Sequence, residues 1–219
     1  MKILIHPGHN PDGKVACGAV GILKESTCAR NIVRIIQEIT PDVVVFSIED
    51  GKSQSDVLNR IVAKINSEQC DLSISIHLNA ASTNAAEGAE AYVWNPEDKS
   101  LLAVKVAERW LENMERLGYR NRGLKSGKTL RVINATNCPS ILLECGFVTN
   151  ASDCQLFDAE NIAYAILAAC GNTPQNPSAP SDGELYRVVS GAFKNKENAK
   201  KHLDAIKKIA PDAYIKKGD

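Results

Sequence analysis

No apolar run in the 219-residue sequence approaches the length of a membrane span, so insertion into a bilayer is not expected. Net charge is also absent. The 26 Lys and Arg balance 26 Asp and Glu, which leaves no basic surplus to direct the chain to nucleic acid. No C-x-x-C pair occurs among the seven cysteines at positions 17, 28, 70, 138, 145, 154 and 170, and their number is odd. Free thiols of a reducing compartment are expected rather than a disulfide framework, with Cys70, Cys145 and Cys170 in apolar, strand-like surroundings. No secretory leader is recognisable, because Met1-Lys2-Ile3-Leu4-Ile5 is too short for one and runs straight into His6-Pro7-Gly8-His9. The sequence therefore reads as a protein made in the cytoplasm that meets any extracellular target only after lysis or release.

The balance of charge hides an asymmetry. Residues 184–219 carry nine Lys or Arg against five Asp or Glu, and the first 183 residues carry 17 against 21. A basic tail suits an anionic surface, although surface lysines more often serve solubility alone. Between the halves, residues 172–183 hold three prolines among Asn, Ser and Gly without an apolar anchor, the composition of a solvated linker.

Residues 1–171 alternate short apolar bursts with amphipathic stretches. Lys2–Ile5, Val43–Ser47, Leu72–Ile76, Ala91–Trp94 and Ser140–Leu143 read as strands. Helical spacing appears in Ile32, Val33, Ile35, Ile36 and Ile39, and in Val57, Leu58, Ile61, Val62 and Ile65. It appears again in Val104, Ala107, Trp110, Leu111 and Met114, and a last helix is expected near Ala159–Ala169. This alternation predicts an α/β fold, an open twisted sheet flanked by helices on both faces, with ligand sites at the C-terminal ends of its strands. Beyond the linker, Leu185–Val189, a helix near Asn195–Ile209 and Ala213–Ile215 form one β-α-β unit, too small to hold a core alone.

Of the four histidines, His6, His9, His77 and His202, two fall at predicted strand ends: His9 just after the first strand and His77 closing Leu72–Ile76. Glu25 opens the first long helix, and Glu144 follows the apolar run Ser140-Ile-Leu-Leu143, where a carboxylate is costly to bury without a partner. Two imidazoles and a carboxylate make a catalytic zinc set, and a second carboxylate nearby would supply a base. Taken singly, a strand-end histidine is more often a hydrogen-bonded structural residue, and a glutamate at a helix start is more often a partner of the helix dipole.

Read together, the motifs point further. They are His6-Pro7-Gly8-His9, Glu25 before a helix containing Asn31, Ser75-Ile76-His77-Leu78-Asn79-Ala80, and Glu144-Cys145-Gly146-Phe147-Val148-Thr149-Asn150. With Asn121-Arg122-Gly123-Leu124-Lys125 and Pro139-Ser140-Ile141-Leu142-Leu143, they resemble the zinc-dependent N-acetylmuramoyl-L-alanine amidases over about residues 1–170. The resemblance implies Zn2+ held by His9, Glu25 and His77. It also implies Glu144 as the general base and acid for hydrolysis of the amide between N-acetylmuramic acid and L-alanine in peptidoglycan. Asn79 and Arg122 become candidates for holding the glycan or stem peptide, on motif position; a turn cap and a surface charge are the alternatives. This chain departs from the family where His6 replaces an Asp and Asn10-Pro11 replaces a Gly-Gly. His6 could support or compete with a ligand, but no metal role is the expectation.

Residues 184–219 resemble half of a SPOR (sporulation-related repeat) domain, a peptidoglycan-binding module, on Leu185-Tyr186-Arg187-Val188-Val189-Ser190-Gly191-Ala192-Phe193 and Asn195-Lys196-Glu197-Asn198-Ala199. Since the family's domain pairs two β-α-β halves, two copies of this tail are expected to pair, making a homodimer; packing on the catalytic domain and a disordered end are the alternatives. Three other classes compete: a zinc peptidase cutting within the stem peptide, a wall-binding protein without catalysis, and a cysteine hydrolase using Cys145. The presence of His9, Glu25, His77 and Glu144 together weighs against the second. Cys145 has no histidine close to it in sequence, which favours packing over catalysis. A phage endolysin and a sporulation enzyme acting after mother-cell lysis fit the absent leader equally.

Overall fold

A computed structural model describes residues 1–172. The linker beyond Asn172, the module 184–219 with its two strands and helix, its pairing, and His202 lie outside the described residues.

Among the described residues six strands form one sheet: β1 (Ile3–Pro7), β2 (Val44–Val45), β3 (Leu72–Asn79), β4 (Ala89–Val93), β5 (Asn121–Ser126) and β6 (Ser140–Phe147), in the order β2-β1-β3-β6-β4-β5. The first four in that order are parallel; β4 runs antiparallel to β6, and β5 follows β4. Four helices are those expected from periodicity: α1 (Glu25–Ile39), α2 (Gln54–Glu68), α3 (Leu102–Arg116) and α6 (Ala159–Ala169). Two short ones, α4 (Arg131–Asn134) and α5 (Ala151–Leu156), join them. Side chains at the helix starts explain several boundaries. Ser53 accepts from Asp56 N, Asn150 from Asp153 N, and Asp158 from Glu160 N and Asn161 N. At the start of α1 no side chain caps the helix, because the N-cap residue is Lys24, whose ammonium cannot accept a hydrogen bond.

Strand alternation sorts residues onto two faces. Ile3 and Ile5 of β1, Leu72, Ile74, Ile76 and Leu78 of β3, and Ile141, Leu143 and Cys145 of β6 enter the larger core, under α1, α3 and α6. The opposite face of β1, β3 and β6 has a smaller core, where Leu4 and Leu142 meet Val57, Ile61 and Ile65 of α2 and Val132 and Ile133 of α4. On that second face β3 presents Ser73, Ser75, His77 and Asn79, so polar groups occupy the strand positions between the apolar ones.

The structure corrects one expectation. Cys70 is paired in a disulfide with Cys138 rather than being a free thiol. The two precede β3 and β6, which are adjacent and start in register at Ser73 and Ser140, so their Cα atoms lie 6.0 Å apart, within disulfide reach. Cys145 and Cys170 are buried and free, as expected. The strand at 121–126 has no apolar alternation to announce it. Between Ala89↔Asn121 and Ala91↔Leu124, β5 has one residue more than β4, a bulge at Gly123, whose φ of 79° suits glycine.

Candidate metal centre

The C-terminal ends of β1 and β3 and the first turn of α1 deliver three donors to one point. His77 Nδ1 lies 2.9 Å and His9 Nε2 3.2 Å from the same oxygen, Glu25 Oε1. The donor atoms of His9, Glu25 and His77 all lie within 4.8 Å of one another, and these three could hold a metal ion. The backbone N–H of Leu78 donates to Glu25 Oε1 at 3.3 Å and that of Ala19 to Oε2 at 2.7 Å, so the carboxylate is fixed from both sides. Burial works against the charge on Glu25, yet the hydrogen bonds from His77 and His9 outweigh it and hold the carboxyl well below its ordinary range. Burial lowers the proton affinity of His77, against the pull of Glu25. Two imidazoles beside an ionised carboxylate suit a divalent ion.

Other residues support these donors. Ser75 Oγ stands 3.0 Å from His77 Nε2. A Cβ on Gly8 would fall 1.8 Å from His77 Cε1, so the imidazole lies directly against this stretch of backbone. His9 is positioned through its main chain: Arg30 Nη2 on α1 donates to His9 O at 2.7 Å and to Ile48 O at 2.8 Å. The next residue, Asn10, is fully buried and donates to Val15 O and Gly51 O while accepting from Gly51 N. This buried amide pins the loop where the sequence departs from the family's Gly-Gly. His6 is outside the three-residue cluster. Its Nδ1 is 3.1 Å from Pro7 O, its ring packs on Phe46 at 5.0 Å, and burial lowers its pKa to about 4.

Glu144 stands inside β6, in register with His77 on one side and Glu90 on the other. Burial, reinforced by the carboxylates of Glu25 and Glu90, pushes its pKa up to about 9. Its Oε2 is buried without a hydrogen-bond partner among the described residues. The two substrate candidates meet on Glu90: Asn79 Nδ2 donates to Oε1 at 3.0 Å and Arg122 Nε to Oε2 at 2.5 Å. Tyr92 and Lys125 also donate to Glu90, and Arg122 lies over the Phe147 ring at 5.0 Å. Without the bulge at Gly123, Arg122 and Lys125, three residues apart, would face opposite sides of the sheet. Burial opposes the charge of Glu90, and the bonds from Lys125, Arg122 and Tyr92 overcome it. Sequence reasoning missed Glu90, Lys125, Tyr92, Ser75, Asn10 and Arg30. The one available signal was Glu90 itself, a charge between Ala89 and Ala91 in an otherwise apolar strand. Cys145 is buried in the larger core, and burial raises its thiol well above the ordinary value, unlike an activated nucleophile.

Among curated proteins, the N-acetylmuramoyl-L-alanine amidase LytC of Bacillus subtilis (strain 168) is 30% identical over 154 residues, covering 69% of this chain and 30% of LytC. The sporulation-specific N-acetylmuramoyl-L-alanine amidase of the same strain is 25% identical over 205 residues, covering 91% of this chain and 78% of that protein. The chain spans about a third of the length of LytC and of an uncharacterised cell wall amidase of Bacillus anthracis that it also matches. The catalytic domain of the CD27L endolysin, which targets Clostridia difficile, shares the fold with a TM-score of 0.71 at 23% identity; the match covers 80% of this chain and 99% of that one. Residues 159–217 match the model of the SPOR domain. That match overlaps α6, whose Ile162, Ile166 and Leu167 are buried in the larger core. No helix among the described residues is long and apolar enough to cross a membrane. Residues 3–172 match the family model of N-acetylmuramoyl-L-alanine amidase, and the chain belongs to that family.

Proposed function

We propose that the chain hydrolyses the amide joining N-acetylmuramic acid to L-alanine in bacterial peptidoglycan, with Zn2+ held by His9, Glu25 and His77. The observation that carries this reading is the convergence of His9 Nε2 and His77 Nδ1 on one oxygen of Glu25, with the buried carboxyl group of Glu144 in register beside His77. Zinc supplies a Lewis acid that polarises the scissile carbonyl, acidifies the attacking water and, by its charge, favours ionised Glu144. Glu144 takes the proton of the attacking water and returns it to the leaving amine, serving as base and acid in turn. Among the described residues no donor competes for its Oε2. Asn79 and Arg122 hold the glycan or stem peptide from the same polar face, and Glu90 fixes both in place.

In this reading residues 1–171 are the catalytic domain, 172–183 a linker, and 184–219 a wall-binding module, the last supported by the SPOR match. The same donor set would serve a peptidase cutting within the stem peptide, and product chemistry separates the two. Mass spectrometry of digested peptidoglycan should reveal stem peptides beginning at L-alanine and glycan bearing free lactyl groups, both lost with a chelator. Peptides beginning at any later residue would contradict the amidase reading.

A further inference from the structure

We propose that Ser75 is the positioning residue for His77, its hydroxyl holding Nε2 of the imidazole in either tautomer and so keeping Nδ1 aimed at Glu25 and His9. The inference rests on the assignment of His9, Glu25 and His77 as zinc ligands.

Ser75 and His77 lie two residues apart on β3 and so face the same side of the sheet. Ser75 sits in the middle of three parallel strands, opposite His6 of β1 and Leu142 of β6, and is 1% exposed, so water does not compete for its hydroxyl. The imidazole is held along one line: Nε2 is 3.0 Å from Ser75 Oγ, and Nδ1 is 2.9 Å from Glu25 Oε1. The backbone at Gly8 closes on the Cε1–Nε2 edge of the ring and limits its rotation.

A neutral imidazole carries a single N–H. Without a metal, Nδ1–H donates to Glu25 Oε1, and Nε2 is a bare acceptor that takes the Ser75 O–H. When Nδ1 gives its lone pair to a metal, its proton leaves to solvent and another is taken up on Nε2, with no net change in proton count. Nε2–H then donates to Ser75 Oγ. A carbonyl or carboxylate at this place could serve only the second state, because neither donates. A hydroxyl serves both. Loss of a hydrogen-bonding partner behind a ligating histidine typically weakens metal affinity about 10- to 100-fold.

The experiment uses the full chain, with zinc as the probe. Zinc affinity is measured by competition with a chromophoric chelator, and the His77 ring nitrogens are followed by 15N NMR, metal-free and zinc-loaded. In the wild type, Nε2 should change from unprotonated to protonated on loading. Ser75→Ala should lose about 10- to 100-fold in affinity, and Ser75→Thr, which keeps the hydroxyl, should recover most of it. Wild-type affinity in Ser75→Ala would overturn the proposal, as would an Nε2 protonated in both states of the wild type. A wild type that takes up no zinc would instead overturn the ligand assignment itself.

Discussion

The two faces of the sheet are made by the same strands and do different work. Ile76 and His77 are consecutive residues of β3; Ile76 is fully buried in the larger core, whereas His77 points into the donor cluster. On β6, Leu143 enters the core and Glu144 faces the site. Alternation thus lets a rigid apolar layer support a polar one without any residue serving both. The second face is covered by α2 and α4 around Leu4 and Leu142, one strand-step from the polar groups at the C-terminal ends of β1 and β3. Substitutions of the apolar residues in either core should therefore move stability, and those of the polar groups at the strand ends function.

The largest expected effect is on the polar face. His77→Ala should abolish both zinc uptake and peptidoglycan lysis while the protein stays folded, since the larger core is untouched. A chelator should do the same to the wild type, and added zinc should restore it. Metal content and turbidity of a wall suspension check both. On the apolar face, Ile76→Ala should cost about 2–5 kcal/mol of unfolding free energy through the cavity it leaves. It should keep zinc uptake at temperatures where the variant is folded; denaturant titration measures the loss. If Ile76→Ala instead lost zinc without losing stability, the division between the faces would fail.

A smaller effect concerns pH. In the metal-free protein the folded state keeps the Glu144 proton up to about 9, whereas an unfolded chain releases it near the ordinary 4.5. Between those values the folded state binds more protons, so this group lowers stability as pH rises through that window. Glu144→Gln removes the effect. Its melting temperature relative to the metal-free wild type should rise steadily from pH 5 to pH 9, and a constant difference would contradict the buried, protonated carboxyl.

How much of this was legible in the sequence follows the range of the interactions. Short apolar bursts revealed β1, β2, β3, β4 and β6, and apolar residues at helical spacing the long helices, because burial leaves its mark within a single element. His9, Glu25 and His77 stood out at strand ends and a helix start, but only the family resemblance joined them into one donor set. Glu144 was expected at the end of its strand and stands inside it, since Cys145 carries the alternation one step further into the larger core. Pairings across the chain left no local mark. Cys70 meets Cys138 only because β3 and β6 are neighbours with aligned starts. Glu90 meets Arg122 and Lys125 only through the bulge in β5, and α4 is too short for a period to appear.

The ends of β1 and β3 and the start of α1 bring together a trio that could hold a metal ion, and Glu144 of β6 stands beside it as a separate proton carrier. Glu144→Gln tests it most directly, with zinc stoichiometry and turnover on purified peptidoglycan measured on the same preparation. Wild-type zinc content is expected, with turnover lower by about two orders of magnitude or more, the usual contribution of general acid–base catalysis. Turnover near the wild-type value with full zinc content would contradict it.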